Sequence, residues 1–149
     1  MKKIKLFVVM AALAIVSAPC FAEGLGYINY ERVLSNYDLA KSVAKELDAK
    51  GMELQQYLMD KEKEFKAIDT PVKKQAFKDR IASEYKTKEE AYIKYRINKE
   101  KEVFNKVQSA AKIIMAEQKL DAVVDIKAVF AGGVDITDVV IDRLKGIKN

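Results

Sequence analysis

Basic side chains are concentrated in the middle of the chain, where they are suited to holding anionic groups. Between residues 61 and 99 there are twelve lysines and arginines against seven acidic residues, a net charge of +5. Such a field attracts acidic polypeptides and weakens as the salt concentration rises. For any single lysine, the alternative is that its charge only keeps an exposed face of the helix in contact with water. The predicted binding surface consists of Lys61, Lys63, Lys66, Lys73, Lys74, Lys78, Arg80, Lys86 and Lys88.

The residue types on which most enzymes depend are missing. The chain has no His and one Cys, Cys20, so it lacks a Ser-His-Asp triad, a Cys-His pair and a Cys/His zinc site. Its six glycines form neither of the phosphate-binding patterns GxxxxGK[ST] and GxGxxG. Acidic residues interspersed among the lysines argue against a nucleic-acid partner. We therefore expect no enzymatic activity, no cofactor, no bound metal ion and no nucleic acid.

The first 22 residues have the pattern of a secretory signal peptide. Three lysines precede an apolar run at residues 6–16, which is too short to span a bilayer as a mature helix, and Ala22 fits a cleavage site before Glu23. Lipidation of Cys20 and an uncleaved anchor are the alternatives, and all three place the remainder of the chain outside the cytoplasm. Cleavage leaves a chain with 24 basic and 22 acidic residues and no thiol.

The middle of the chain is expected to form one long helical hairpin. Residues 38–117 are dense in Lys, Glu, Ala and Leu and contain a single proline, Pro71, and a single glycine. Two apolar stripes with helical spacing flank Asp-Thr-Pro at 69–71, where Thr70 can begin a new helix. The sequence thus predicts a tip near 68–72 and an arm of about 70 Å at 1.5 Å per residue. The alternative is one kinked helix.

A further set of large side chains falls beside these stripes. Because they are off the seam between the helices, they are available for weak, interchangeable apolar contacts with a partner. The set comprises Met52, Tyr57, Met59, Ile93, Tyr95 and Ile97.

The two ends of the mature chain, residues 23–37 and 118–149, are expected to form a β-rich body. Strands are predicted at residues 26–30, 122–126 and 128–131, followed by a last helix that Asp135 caps. Such a body buries too little apolar surface to support the arm alone, so association of several copies is expected. The predicted oligomerisation surface comprises Tyr27, Ile28, Val123, Val124, Ile126, Val129 and Phe130.

Both ends of the chain resemble one family of proteins. The resemblance rests on three segments: GYIN at 26–29, LDAVVD at 120–125 and DITDVV at 135–140. These segments are similar to the opening strand, the later strands and the last helix of the Skp/OmpH-like periplasmic chaperones. The middle agrees in composition and length only. The chain departs from the family after its first short helix, where residues 35–38 lack a proline that is common there.

The resemblance implies both a fold and a function. The fold is mainly α with a small β body, in which a long antiparallel two-helix coiled-coil arm projects from an oligomeric β-barrel-like body. The implied assembly is a homotrimer that holds unfolded outer-membrane β-barrel proteins between its arms in the periplasm, without ATP. The alternative is an envelope coiled-coil scaffold or secretion adaptor that binds a folded partner. Contact with anionic lipid or lipopolysaccharide is a possible accessory activity.

Overall fold

A computed structural model describes residues 24–146, so the predicted signal peptide at 1–22 lies outside the described residues. The chain is mostly helical with one small sheet, which confirms the coarse fold prediction. The elements in order are β1 (Leu25–Ile28), α1 (Tyr30–Asn36), α2 (Asp38–Lys66), α3 (Pro71–Glu117), β2 (Ala122–Asp125), a short 3-10 turn (Ile126–Ala128), β3 (Val134–Asp135) and α4 (Thr137–Gly146). Within residues 24–146, none of the helices combines the length and hydropathy needed to cross a membrane.

The two long helices pack against each other as antiparallel neighbours. Phe65 of α2 and Phe77 of α3 have ring centroids 6.2 Å apart beside the turn, whereas Val43 and Val103 are both buried at the far end. The turn occupies residues 67–70, and Pro71 takes the first position of α3, where its missing N–H costs no helical hydrogen bond. Leucines and tyrosines spaced by helical turns form the seam between the two helices.

The sheet is parallel, with β1 in the centre. Tyr27 of β1 is aligned with Val124 of β2 on one side and with Asp135 of β3 on the other. β1 ends at Ile28, two residues before the predicted end, because the Asn29 side chain accepts a hydrogen bond from the Arg32 N–H at 2.9 Å and begins α1. A parallel sheet requires long crossover connections, and the hairpin is the connection between β1 and β2.

The third strand is not where the sequence predicts it, so the prediction of a strand at 128–131 is wrong. The Asp125 carboxylate accepts a hydrogen bond from the Lys127 N–H at 2.8 Å and starts the 3-10 turn. The chain then passes through Gly132 and Gly133, which have φ of 81° and 92°. A Cβ on Gly133 would lie 2.9 Å from the Leu25 carbonyl oxygen, so the close approach of this loop to β1 requires glycine.

The core lies where the base of the hairpin meets the sheet, α1 and α4. α4 begins at Thr137, whose backbone N–H and hydroxyl both donate to the Asp135 carboxylate and lower its pKa. Asp135 thus stabilises the start of this helix, as expected from the sequence. The buried side chains are Ile28, Val33, Tyr37, Val43, Val103, Val107, Ala110, Ala111, Ile114, Leu120, Ile136, Thr137, Val140, Ile141 and Leu144.

Candidate functional site

The predicted basic surface lies on both helices around the turn, and most of its charges are locally paired. Three of its residues are in the last third of α2 and six are in the first half of α3. Six of the nine form ion pairs with carboxylates three or four residues away, which leaves less charge available to a ligand. The pairs are Lys61–Glu64 (2.7 Å), Lys63–Asp60 (3.3 Å), Lys66–Glu62 (2.7 Å), Lys73–Asp69 (3.7 Å), Arg80–Glu84 (3.8 Å) and Lys86–Glu90 (3.9 Å).

The other three cations lie over aromatic rings. Lys74 and Lys78 place their ammonium groups 5.5 and 5.2 Å from the centre of the Phe65 ring, and Lys88 lies 4.9 Å from that of Tyr57. Within the described chain, none of these three forms an ion pair with a carboxylate. Attraction to the ring face holds each ammonium without neutralising it. The structure therefore divides the predicted surface into six paired cations and three unneutralised ones.

Two tyrosines join the helices through contacts that the sequence analysis missed. The Tyr57 hydroxyl of α2 donates to the Glu84 carboxylate of α3 at 2.6 Å, and Lys88 covers the Tyr57 ring. We call this the Tyr57 clasp. Its hydrogen bond to a carboxylate favours the protonated phenol and raises the pKa of Tyr57 to about 12.

The second contact, the Tyr95 clasp, consists of the same three residue types. Here α3 provides the tyrosine, and α2 provides the glutamate and the lysine. The Tyr95 hydroxyl of α3 donates to Glu46 of α2 at 2.7 Å, and Lys50 lies 4.8 Å from the ring centre. The hydrogen bond raises the pKa of Tyr95. The same bond, together with Lys99 at 3.5 Å, lowers the pKa of Glu46.

An internal repeat explains why the two clasps are alike. Each tyrosine begins a similar octapeptide, YLMDKEKE at 57–64 and YRINKEKE at 95–102. The offset of 38 residues also relates Glu46 to Glu84 and Lys50 to Lys88. Two copies of one helical segment therefore pack antiparallel, and each copy supplies the tyrosine to one clasp and the carboxylate and lysine to the other. This repeat is the sequence signal that marks the clasp residues as related, whereas their contacts depend on how the two helices pack.

A shallow groove runs between the two clasps on one side of the hairpin. Its cavity volume is about 370 Å³, and Leu54 and Tyr92 belong to its lining. Both clasp tyrosines and both clasp lysines also line it, together with Glu53 and Ala91. Two ammonium groups and three phenol rings thus face one open groove, which we call the clasp groove.

The other side of the Leu54–Tyr92 seam carries both apolar and charged side chains, including Glu89 and Arg96. A second groove of about 380 Å³ is lined there by Leu58 and Ile93, among others. Nearer the core, a groove of about 950 Å³ contains Leu47, Ile97 and Phe104 together with side chains of α1. Of the six residues that the sequence places off the seam, Met52, Met59, Ile93 and Ile97 are exposed, whereas Tyr57 and Tyr95 form the clasps.

The predicted oligomerisation residues are divided between the sheet and the following loop. Tyr27, Ile28, Val123 and Val124 lie in β1 and β2, and Ile28 is buried. Ile126, Val129 and Phe130 lie outside the strands, and the Phe130 side chain is fully exposed. Within residues 24–146, β2 and β3 each pair only with β1, so each has one edge that no strand covers.

Acidic side chains do not gather into a metal site in the part of the chain that the structure describes. No group of three or more His, Cys, Asp or Glu residues is arranged to hold an ion there.

Comparison with known proteins places this chain in a family. The sequence model of the family described as outer membrane protein (OmpH-like) matches residues 24–144. A solved structure from Caulobacter crescentus CB15, described as a candidate outer membrane chaperone (OmpH-like), is 17% identical. The alignment covers 83% of this chain and 84% of that one, with a TM-score of 0.41. No curated protein sequence matches significantly.

Proposed function

Because the chain belongs to the OmpH-like outer membrane protein family, we propose that it is an ATP-independent holdase that keeps unfolded outer-membrane β-barrel proteins soluble in the periplasm. The signal peptide expected from the sequence delivers it to that compartment. The proposal involves no enzymatic step, because the protein only has to hold a client until the membrane assembly machinery receives it.

The observation that carries this proposal is the exposure of the long hairpin. Among residues 44–102, all of which the structure describes, no side chain is buried. The large apolar groups Met52, Met59 and Ile97 are more than half exposed. Exposed apolar groups and unneutralised lysines on the same hairpin suit weak contacts with many different sequences, which an unfolded client requires. Many such contacts add up to useful affinity when several arms surround one client.

A homotrimer is proposed as the working assembly, with arms that enclose a cavity. Uncovered edges on β2 and β3 are suited to strand pairing between copies, and a closed ring leaves no free edge. Phe130 is fully exposed in the single chain, and contact with a neighbouring copy would bury this large apolar side chain. Contact with anionic lipid or lipopolysaccharide stays a proposal for an accessory activity of the same basic surface.

Native mass spectrometry of residues 23–149 tests both parts of the proposal. The protein is mixed with a urea-unfolded outer-membrane β-barrel protein as the mixture is diluted out of denaturant. We expect a trimer with one client bound, and less light scattering than from the client alone. A monomer or dimer that leaves the client to aggregate would favour the scaffold or adaptor function instead.

The variant Phe130→Asp tests the assembly separately. Because this side chain touches little within its own chain, its replacement should leave the fold of the single chain intact and lower the oligomer mass. An unchanged mass would exclude Phe130 from the interface between copies.

A further inference from the structure

The clasp groove contains two lysines that form no ion pair with the glutamate four residues earlier. Lys50 follows Glu46 by four residues, and Lys88 follows Glu84 by four. Acidic and basic side chains with this spacing are neighbours on a helix and commonly form ion pairs. Two pairs with the acid first are found on or beside the two helices, Glu62–Lys66 and Asp69–Lys73, and three have the base first, Arg80–Glu84, Lys86–Glu90 and Arg96–Glu100. Within the described residues, Glu90–Lys94 and Glu102–Lys106 have the same spacing and form no ion pair.

Each of the two carboxylates is held by a clasp tyrosine and by another cation, Glu46 by Lys99 at 3.5 Å and Glu84 by Arg80 at 3.8 Å. Glu46 accepts a hydrogen bond from Tyr95 at 2.7 Å and Glu84 accepts one from Tyr57 at 2.6 Å. Lys50 lies over the ring of Tyr95 instead of pairing with Glu46. Lys88 lies over the ring of Tyr57 in the same way, and no carboxylate of the described chain forms an ion pair with either lysine. Two cations are thereby held in one groove over aromatic rings, without an ion pair to a carboxylate of the described chain, although Glu46 still attracts Lys50 at longer range.

We propose that the clasp groove is a binding site for acidic segments of unfolded polypeptide, in which client carboxylates contact Lys50 and Lys88. The adjoining side chains of Leu54 and Tyr92 supply apolar surface for the residues next to the carboxylates. Naming an unfolded client rests on the proposed function. The binding of carboxylates by the groove does not rest on that function, because it requires only the side chains of the hairpin.

Charge and shape favour a polypeptide over a membrane as the occupant. The groove follows the seam between two helices and is lined by three tyrosines, which suits an extended chain with mixed side chains. Glu53 also lines the groove and opposes anions. Its replacement, Glu53→Gln, should therefore strengthen the binding of an acidic segment.

Fluorescence anisotropy with a defined peptide tests the site on the full-length mature protein. The probe is a rhodamine-labelled, unstructured 12-residue peptide of alternating glutamate and serine, and a glutamine–serine peptide of the same length is its control. Lys50→Gln/Lys88→Gln should weaken binding of the glutamate peptide about fivefold at low salt. Lys45→Gln/Lys94→Gln removes the same charge from exposed positions of the same helices and should change binding by less than about twofold. Equal weakening by the two variants would overturn the site.

The variant Tyr57→Phe/Tyr95→Phe tests the role of the clasps. It keeps both rings and both lysines, but it removes the hydroxyl that each carboxylate accepts from. Lys50 then competes with Lys99 for Glu46, and Lys88 competes with Arg80 for Glu84. We therefore expect weaker peptide binding although no cation is lost. Unchanged binding would show that the clasps do not keep the lysines available. Binding to vesicles of phosphatidylglycerol tests whether the groove binds a membrane instead. If Lys50→Gln/Lys88→Gln loses vesicle binding but keeps peptide binding, the assignment of a polypeptide to the groove is overturned.

Failure of this site and failure of the proposed function give different results. If the protein keeps a client soluble but the peptide does not distinguish the two double lysine variants, the groove assignment is wrong and the holdase proposal stands. If the peptide distinguishes them but no client is held, the groove binds carboxylates for another purpose.

Discussion

The base of the molecule and the outer part of the hairpin are stabilised in different ways. At the base, Ile114, Val140 and Leu144 are almost completely buried between the sheet, α3 and α4. From residue 44 to residue 102 every side chain retains some exposure, and polar and aromatic contacts such as the two clasps join the helices. Exposed polar contacts contribute much less free energy than buried apolar groups. The outer hairpin can therefore loosen while the base stays folded, which would suit the proposed holding of different clients.

The largest expected effect comes from a cavity at the base. Ile114→Ala removes buried methyl groups from a fully enclosed side chain and should lower the free energy of unfolding by about 3 kcal/mol. Met59→Ala truncates a side chain that is 53% exposed on the hairpin and should cost less than about 0.5 kcal/mol. Urea unfolding followed by circular dichroism at 222 nm, at one protein concentration, measures both. Similar losses would show that the two regions do not differ in this way.

A smaller effect should separate paired cations from unneutralised ones on the outer hairpin. Lys74→Gln/Lys78→Gln/Lys88→Gln removes the three lysines that lie over rings. The matched control, Lys63→Gln/Lys66→Gln/Lys86→Gln, removes three lysines paired with carboxylates. Both variants lose three charges, so client association should slow by about the same factor at low salt.

The dissociation rate of the client distinguishes these two variants, and stopped-flow fluorescence of a labelled unfolded client measures it. We expect it to rise about threefold only when the unneutralised lysines are removed, because those lysines are available for direct contacts. Equal dissociation rates would mean that the predicted basic surface acts only through its overall field.

Alkaline pH should weaken the hairpin before the base. Tyr57 has a pKa of about 12 in the folded protein, above its ordinary value of 10. The clasp needs the protonated phenol, so its stabilising effect is complete below pH 10 and is lost as the pH rises from 10 to 12. Absorbance at 295 nm, which reports tyrosinate, and amide exchange in the two helices follow this change. Tyr85→Phe leaves both clasps intact and is the matched control for Tyr57→Phe, and identical behaviour of the two variants would contradict the prediction.

The smallest effect is expected at the junction between the two regions. Tyr37 is 2% exposed, and its hydroxyl has no hydrogen-bond partner within the described residues. Its burial raises its pKa, with a smaller contribution from Glu102. Tyr37→Phe removes an unpaired polar atom and should leave the unfolding free energy unchanged or raise it by up to about 1 kcal/mol. A clear loss of stability in urea unfolding would reveal a partner for the hydroxyl.

Local composition was sufficient to predict the helices. Good helix formers fill residues 38–117, and the structure has helix there on both sides of a turn that ends at Pro71. The start of α4 was predictable as well, because the hydrogen bonds of the Asp135 carboxylate go to Thr137, two residues away. Such contacts involve residues that are close in sequence, so the pattern of residue types contains the necessary information.

Only the tertiary structure decided the sheet and the clasps. The apolar residues at 128–131 have the composition of a strand, but Asp125 starts a turn before them and the close approach of Gly133 to Leu25 places β3 at Val134. The nine basic residues look equivalent in the sequence. Six of them pair with carboxylates three or four residues away, whereas the rings beneath Lys74, Lys78 and Lys88 belong to the facing helix. The clasps likewise join residues that are far apart in sequence, 27 residues for Tyr57–Glu84 and 49 for Glu46–Tyr95. The sequence determined the helices and the overall excess of positive charge, whereas the packing of one helix against the other determined which charges are available to a partner.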